Sequence, residues 1–269
     1  MRIALGIEYD GSHFHGWQMQ KSGVRTVQQV VEKALSAVAA HEVQVLAAGR
    51  TDTGVHAHQQ VIHFDTQAQR PSHGWVMGGN IKLPSDVSIL WAKNVPEDFH
   101  ARFSAVARTY RYMILNRMSR PAILAKRATW VHRPLDAKLM HEAGQVLVGT
   151  HDFTSYRTVH CQAKSPIRTL HYLTVYRRGD YIVMEVHADG FLHHMVRNIA
   201  GVLIAVGTKE RAYTWVGEVL EHRDRRLGGM TAASDGLYFH NAHYPAKYDL
   251  PLVGGQELGE GHTVSSLID

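Results

Sequence analysis

Hydrophobic residues recur along this chain with two spacings, one typical of strands and the other typical of helices. Alternation at Ile3, Leu5, Ile7 and Tyr9 predicts a first strand. Apolar residues at helical spacing follow Thr26, where Thr26 and Gln29 form a capping box that predicts a helix start. Further strands are predicted over residues 87–95, 108–115, 170–176, 181–187 and 237–239, and further helices over 75–82, 136–147, 191–206 and 215–222.

The order of these elements repeats once, as two successive strand-helix-strand-strand-helix-strand blocks. This order predicts an α+β fold of two RRM-like or ferredoxin-like (split βαβ) halves with largely antiparallel sheets. At 269 residues the chain is long enough for two domains, each with its own core. We predict an N-terminal domain over 1–105, a C-terminal domain over 106–248 and a flexible tail over 249–269.

A short loop between two apolar runs carries the carboxylate of Asp52. The runs, over residues 43–45 and 61–64, predict a strand on each side of the loop. Gly49 and Gly54 bracket the carboxylate and allow a ligand to approach the backbone closely, and Arg50 offers it a cation. From spacing alone, Asp52 is either a reactive group or an ordinary turn residue that bonds its own backbone.

Composition favours a soluble protein with a polyanionic partner. Twenty-nine Lys and Arg against 24 Asp and Glu give a net charge of +5. The single Cys161 excludes an intramolecular disulfide and any site of several cysteines, as expected in the reducing cytoplasm. The longest apolar run, over residues 199–206, is far shorter than the ~20 residues that span a bilayer. We therefore expect a cytoplasmic protein that does not bind membranes.

Two other functions fit parts of the sequence. A non-catalytic RNA-binding module fits the charge and the RRM-like pattern, but the aromatic RNP signature of an RRM is absent. A metal-dependent hydrolase is suggested by paired histidines near Asp10 or Asp52, although no pair has a recognised zinc or iron spacing and 20 His make chance pairs common. The sequence therefore predicts no metal site. The histidine pairs are His13 and His15, His56 and His58, and His193 and His194.

Short segments in a fixed order resemble the TruA-type tRNA pseudouridine synthases. The loop Gly49-Arg50-Thr51-Asp52-Thr53-Gly54-Val55-His56-Ala57 is similar to the catalytic loop of that family. The resemblance runs from about Ile3 to about Tyr244, and it is specific as an ordered series although each piece alone is weak. The other matching segments are Tyr9-Asp10-Gly11, Phe14-His15-Gly16-Trp17-Gln18, Arg108-Thr109-Tyr110-Arg111-Tyr112, Gly149-Thr150-His151-Asp152-Phe153, Pro166-Ile167-Arg168, Gly190-Phe191-Leu192, Met195-Val196-Arg197-Asn198-Ile199, and Ala232-Ala233 followed by Gly236-Leu237.

The resemblance implies isomerisation of uridine to pseudouridine in the anticodon stem-loop of tRNA, at positions 38, 39 and 40 in the family. Asp52 is then the catalytic residue, which attacks the ribose, attacks the base or assists elimination. Tyr110 matches the active-site tyrosine, whose ring can stack on the target base. Arg50 and Arg197 match the family's basic residues at the site, which can pair with Asp52 while contacting phosphate. Leu237 forms part of the apolar wall.

The resemblance also implies two domains that flank a central basic cleft, a homodimer that binds tRNA, and a reaction that uses no cofactor or metal. The target uridine must be extruded from its stack. Arg108 stands where lysine is frequent in the family, and residues 160–164 depart from the family pattern. Candidates for the basic surface around the cleft are His13, His15, Arg25, Arg102, Arg108, Arg111, Lys164 and Arg168.

Overall fold

The computed structural model describes residues 1–159 and 161–251, so the predicted tail lies outside the described residues from position 252 onward. The strands of this part are β1 (Arg2–Tyr9), β2 (Leu46–Ala47), β3 (His56–Asp65), β4 (Val87–Val95), β5 (Ala107–Asn116), β6 (Thr129–Val131), β7 (Gly149–Asp152), β8 (Ile167–Arg178), β9 (Tyr181–Ala188) and β10 (Leu237–His243). The α-helices are α1 (Val27–Ala39), α2 (Ser72–Lys82), α3 (Ala137–Gly144), α4 (Met195–Gly207) and α5 (Trp215–His222).

One mostly antiparallel sheet contains every strand of the described part, which confirms the predicted α+β class. The strand order is β4-β1-β3-β10-β5-β9-β8-β7, with β2 paired to β3 and β6 paired to β5. The last strand, β10, lies between the two halves, parallel to β3 and antiparallel to β5. Because β10 pairs with both neighbours, neither β3 nor β5 keeps an open edge there. The two predicted sheets are therefore joined into one.

Two hydrophobic cores lie along this sheet. The first contains α1 and α2 with the fully buried Trp75, and the second contains α3, α4 and α5 with the fully buried Leu203. Strand β10 contributes Phe239 to the first core and Leu237 to the second, and Tyr110 packs against both. Each large apolar side chain buried in this way contributes about 1.5–3 kcal/mol. The catalytic-loop candidate and Tyr110 therefore lie where the two cores meet.

Two predicted helix starts differ from the structure. Helix α1 begins after Thr26, but the capping box is wrong because the Thr26 hydroxyl is buried without a hydrogen-bond partner and Gln29 is exposed. Helix α4 begins at Met195, four residues later than predicted, because His194 has a left-handed backbone with φ 64°. The longest α-helices have 13 residues, and no helix of the described part is long and apolar enough to cross a membrane.

The remaining predicted elements lie close to their positions, except that residues 43–45 form no strand and the strand before the Asp52 loop is β2, over Leu46–Ala47. Two were predicted with their observed bounds, β4 and α5, while β10 extends four residues beyond the predicted strand. Three short strands, β2, β6 and β7, lack a clear alternating pattern and are two to four residues long. Such strands are defined by their pairing with longer neighbours more than by their own sequence.

Candidate active site

The Asp52 loop connects β2 to β3 and is fixed by the glycine-rich segment after β1. The backbone N–H of Trp17 donates to the Thr51 carbonyl at 3.0 Å, and the Tyr9 and Thr51 hydroxyls lie 2.8 Å apart. A Cβ at Gly11 would lie 2.0 Å from the Val55 carbonyl oxygen, so only glycine permits this approach. These contacts hold the middle and the end of the loop in place.

The Asp52 carboxylate lies opposite the start of α4. The Nε2 atom of His193 is 3.2 Å from Oδ1, and the Nε2 atom of His194 is 3.2 Å from Oδ2. The Arg197 guanidinium is 3.5 Å from Oδ2. The Asp52 side chain keeps 29 % of its surface exposed, so the carboxylate stays accessible on one side while two imidazoles and a guanidinium contact it.

Arg197 is held at this position by the segment before β10. Its Nε donates to the Ala232 carbonyl at 2.8 Å, and the Ala232 N–H donates to the Arg197 carbonyl at 3.1 Å. One turn later, a Cβ at Gly201 would lie 1.8 Å from the Met230 carbonyl oxygen. Glycine therefore lets α4 approach this segment closely, and the double contact fixes the guanidinium beside Asp52.

The surrounding charges keep Asp52 ionised at neutral pH. Burial by itself raises the pKa of Asp52. The hydrogen bond from His194 and the positive charges of His194, His193 and Arg197 outweigh this effect, so the pKa lies below the ordinary value of an aspartate. The site thus provides a carboxylate that remains negative and available for chemistry.

The phenol of Tyr110 lies beside the same loop. Its ring makes edge-on contacts with Phe191 and Phe239, at centroid distances of 5.0 and 5.2 Å. A Cβ on Gly49 would lie 3.8 Å from the Tyr110 hydroxyl oxygen, which places that oxygen next to the loop backbone. Burial, with a smaller contribution from the nearby Asp52, raises the pKa of Tyr110, so its hydroxyl stays protonated at neutral pH.

The other two predicted site residues differ in their placement. Leu237 is buried in the second core with Val55, at the end of the Asp52 loop. Arg50 is exposed, and within the described residues it forms no ion pair with Asp52. The expected pairing of Arg50 with the carboxylate is therefore wrong, because the groups from α4 and the turn before it already surround Asp52.

Three arginines predicted for the basic surface form contacts inside the fold. Arg25 makes two hydrogen bonds to Asp86, at 2.7 and 2.8 Å, and Arg111 pairs with the buried Glu185. Arg108 donates to several backbone carbonyls. Their charge is balanced or held within the protein. Of the remaining candidates, the exposed ones are His13, His15, Arg102 and Lys164, while Arg168 is half-buried and donates to the backbone of its own segment.

The sequence interpretation weighed His193 and His194 as one of three histidine pairs for a metal site, rejected that reading and did not predict their contacts with Asp52. They are 141 and 142 positions away, respectively, so spacing along the chain could not reveal the contact. Besides their pairing in the sequence, their signal was their position just before the segment that contains Arg197, which the family resemblance already brought to the site.

Comparison with known proteins agrees with this geometry. The family model described as tRNA pseudouridine synthase matches residues 6–104 and 143–245. The chain is 59 % identical over 250 residues to tRNA pseudouridine synthase A of Alcanivorax borkumensis, covering 93 % of this chain and 94 % of the relative. It is 60 % identical over 253 residues to the protein of the same name from Nitrosococcus oceani, covering 94 % and 97 %. It is 58 % identical over 250 residues to that of Pseudomonas aeruginosa, covering 93 % and 88 %. The chain therefore belongs to the family of tRNA pseudouridine synthases, enzymes that isomerise uridine to pseudouridine in tRNA.

Proposed function

We propose that this protein converts uridines of the tRNA anticodon stem-loop to pseudouridine, with Asp52 as the catalytic residue. The observation that carries the proposal is the ionised Asp52 carboxylate, which is accessible on one side and lies beside Arg197. In the reaction the bond from N1 to ribose C1′ breaks and a bond from C5 to C1′ forms. The C5 hydrogen leaves as a proton and N1 gains one, so no oxidant or cofactor is required.

Asp52 can serve this rearrangement in three ways. It can attack the ribose, attack the base, or assist elimination at the sugar, and each of these needs the ionised carboxylate. The low pKa of Asp52 and the cations around it favour that form in every case. Arg197, which is fixed to the backbone of Ala232, holds the carboxylate in one orientation.

The surrounding residues receive the extruded base in this proposal. Extrusion costs a few kcal/mol, which stacking and backbone contacts offset. Tyr110 provides the stacking ring and places its hydroxyl near C5, and Leu237 closes the pocket on the apolar side. Arg50, which is exposed and not paired with Asp52, contacts the RNA phosphates.

The family resemblance supports further features of the working enzyme. We propose a cytoplasmic homodimer in which tRNA contacts both subunits, with the two domains over residues 1–105 and 106–248 flanking the basic cleft. The two hydrophobic cores support the division of each subunit into these domains, since each core is built mainly from one half of the chain.

Release of tritium from unmodified tRNA tests the proposal. The tRNA carries tritium at uracil C5, and the protein is incubated with it in buffer that contains neither cofactor nor added metal. Transfer of tritium to water at uridines of the anticodon stem-loop is the expected result. A protein that binds this tRNA but releases no tritium would be a binding module, and release from another region of the tRNA would contradict the proposed substrate site.

Replacing His194 should make the activity more sensitive to acid. The His194 hydrogen bond and charge lower the pKa of Asp52, so the carboxylate stays ionised to a lower pH. The activity that depends on this ionised form is lost as the pH falls through the pKa of folded Asp52. In His194→Asn that pKa rises, and the acid limb of kcat/KM for tritium release should move to higher pH. Asparagine tolerates the left-handed backbone at this position.

The matched control for this pH profile is His73→Asn, which removes an exposed imidazole on α2. Its acid limb should coincide with that of the wild-type protein. Thermal unfolding measured at each pH verifies that every variant is folded. An unchanged acid limb in folded His194→Asn would show that His194 does not set the ionisation of Asp52.

A further inference from the structure

Three side chains that bind transition metals meet at the Asp52 carboxylate. Each offers one ligand atom, and the ligand atoms of Asp52, His193 and His194 all lie within 4.8 Å of one another. Each imidazole Nε2 lies 3.2 Å from a different carboxylate oxygen. In the described residues this is the one group of three such side chains that is close enough to share an ion.

The spacing fits a tetrahedral zinc site. Zinc binds imidazole nitrogen at about 2.0–2.1 Å and carboxylate oxygen at about 2.0–2.2 Å, so neighbouring ligands of a tetrahedron lie about 3.3 Å apart. The two 3.2 Å separations go to different oxygens of Asp52, so one of them matches that edge while the three ligand atoms lie within 4.8 Å of one another. Small rotations of exposed or half-buried side chains would therefore turn both nitrogens toward a shared ion.

A second histidine next to a carboxylate, His56 beside Asp10, is not free to bind an ion in this way. His56 Nδ1 is 3.1 Å from Asp10, but Arg127 holds the same carboxylate at 2.6 Å. The other nitrogen of His56 lies 2.9 Å from the Lys126 carbonyl. These partners and the 3 % exposure of its side chain fix His56 in the fold, whereas the side chains of His193 and His194 are 46 % and 27 % exposed.

We propose that Asp52, His193 and His194 form a binding site for a divalent transition-metal ion of the Zn²⁺ type. The fourth position faces the accessible side of Asp52, where water can complete the tetrahedron. Arg197, 3.5 Å from Oδ2, opposes the added positive charge and limits the affinity. If Asp52 acts as proposed above, the bound ion occupies the lone pairs that the reaction needs, so zinc inhibits an enzyme whose reaction requires no metal.

Cobalt provides a direct test that does not depend on catalysis. The full chain is freed of metal with a chelator, dialysed and titrated with Co²⁺, whose visible absorption reports its coordination. We expect saturable absorption at one ion per chain. His193→Asn removes a side chain that is 46 % exposed, so the fold should be retained. It should weaken Co²⁺ binding by at least about 10–100-fold. His194→Asn provides a second ligand variant.

The matched control replaces His73 and His222 by asparagine, which removes two exposed imidazoles, one on α2 and one on α5. This control should bind Co²⁺ as the wild-type protein does. Equal Co²⁺ affinity in the wild type and in both ligand variants would overturn the metal site. Because the ligands must be unprotonated, binding should weaken as the pH falls, and binding that is unchanged in acid would also count against the site.

Inhibition of tritium release by Zn²⁺ tests the metal site and the proposed role of Asp52 independently of each other. Zn²⁺ should slow tritium release, and a chelator should restore the rate. Co²⁺ or Zn²⁺ that binds through His193 without slowing isomerisation would support the metal site and contradict the role of Asp52 in the reaction.

Discussion

Asp52→Asn is expected to reduce tritium release by about 10⁴-fold or more, while tRNA binding and thermal stability remain close to those of the wild type. Asparagine has the shape of aspartate but carries no negative charge, and it can neither act as a nucleophile nor accept a proton at neutral pH. The Asp52 side chain is 29 % exposed, so loss of its contacts to His193 and Arg197 should change stability little. The measurement is single-turnover tritium release, with filter binding of the same tRNA in parallel.

Asp98→Asn is the matched control for this variant. Asp98 is an exposed aspartate with one ion pair, to Lys247 at 2.7 Å, so its replacement removes the same charge outside the active-site candidate. Its rate should equal that of the wild-type protein. If Asp52→Asn retained activity within about tenfold, the catalytic role of this carboxylate would have to be abandoned. Loss of tRNA binding in parallel with activity would assign Asp52 to recognition of RNA.

Local patterns in the sequence were sufficient to predict most of the fold. In β4 and α5 the hydrophobic residues alternate or recur at helical spacing, because one face of the element is buried. This periodicity alone predicts the type of element. The Asp52 loop was likewise visible between two apolar runs, because glycine and short strands make a turn that presents a side chain. Its catalytic interpretation came from the family resemblance, since spacing alone fits an ordinary Asx turn equally well.

Contacts between distant parts of the chain were not predictable in this way. The place of β10 between β3 and β5 follows from two backbone ladders, which no property of residues 237–243 specifies. The contacts of His193 and His194 with Asp52 depend on the left-handed backbone of His194, which delays the start of α4 by four residues relative to the prediction. Arg50 is a close sequence neighbour of Asp52 but does not pair with it. The more distant Arg197 does, because the fold places α4 beside the carboxylate.

Tyr110→Phe is expected to lower the rate of tritium release by about 10²–10⁴-fold without reducing stability. The variant retains the ring and its edge-on contacts with Phe191 and Phe239. Since burial keeps the hydroxyl protonated at neutral pH, it can take up the C5 proton only as it releases its own. No hydrogen bond links this hydroxyl to another of the described residues, so its loss should leave the unfolding free energy unchanged. Single-turnover rates and urea unfolding of the same preparation test both statements.

Tyr112→Phe provides the opposite case on the same strand. The Tyr112 hydroxyl lies 2.6 Å from the Thr129 hydroxyl and donates to the Ala233 carbonyl at 2.8 Å. Its removal should cost about 0.5–1.5 kcal/mol of unfolding free energy and leave the rate of isomerisation unchanged. Tyr110→Phe should thus change the rate and Tyr112→Phe the stability, because only the Tyr112 hydroxyl is hydrogen-bonded to other described residues. A slow Tyr112→Phe beside a fast Tyr110→Phe would reverse the assignment and place the reacting base beside Tyr112.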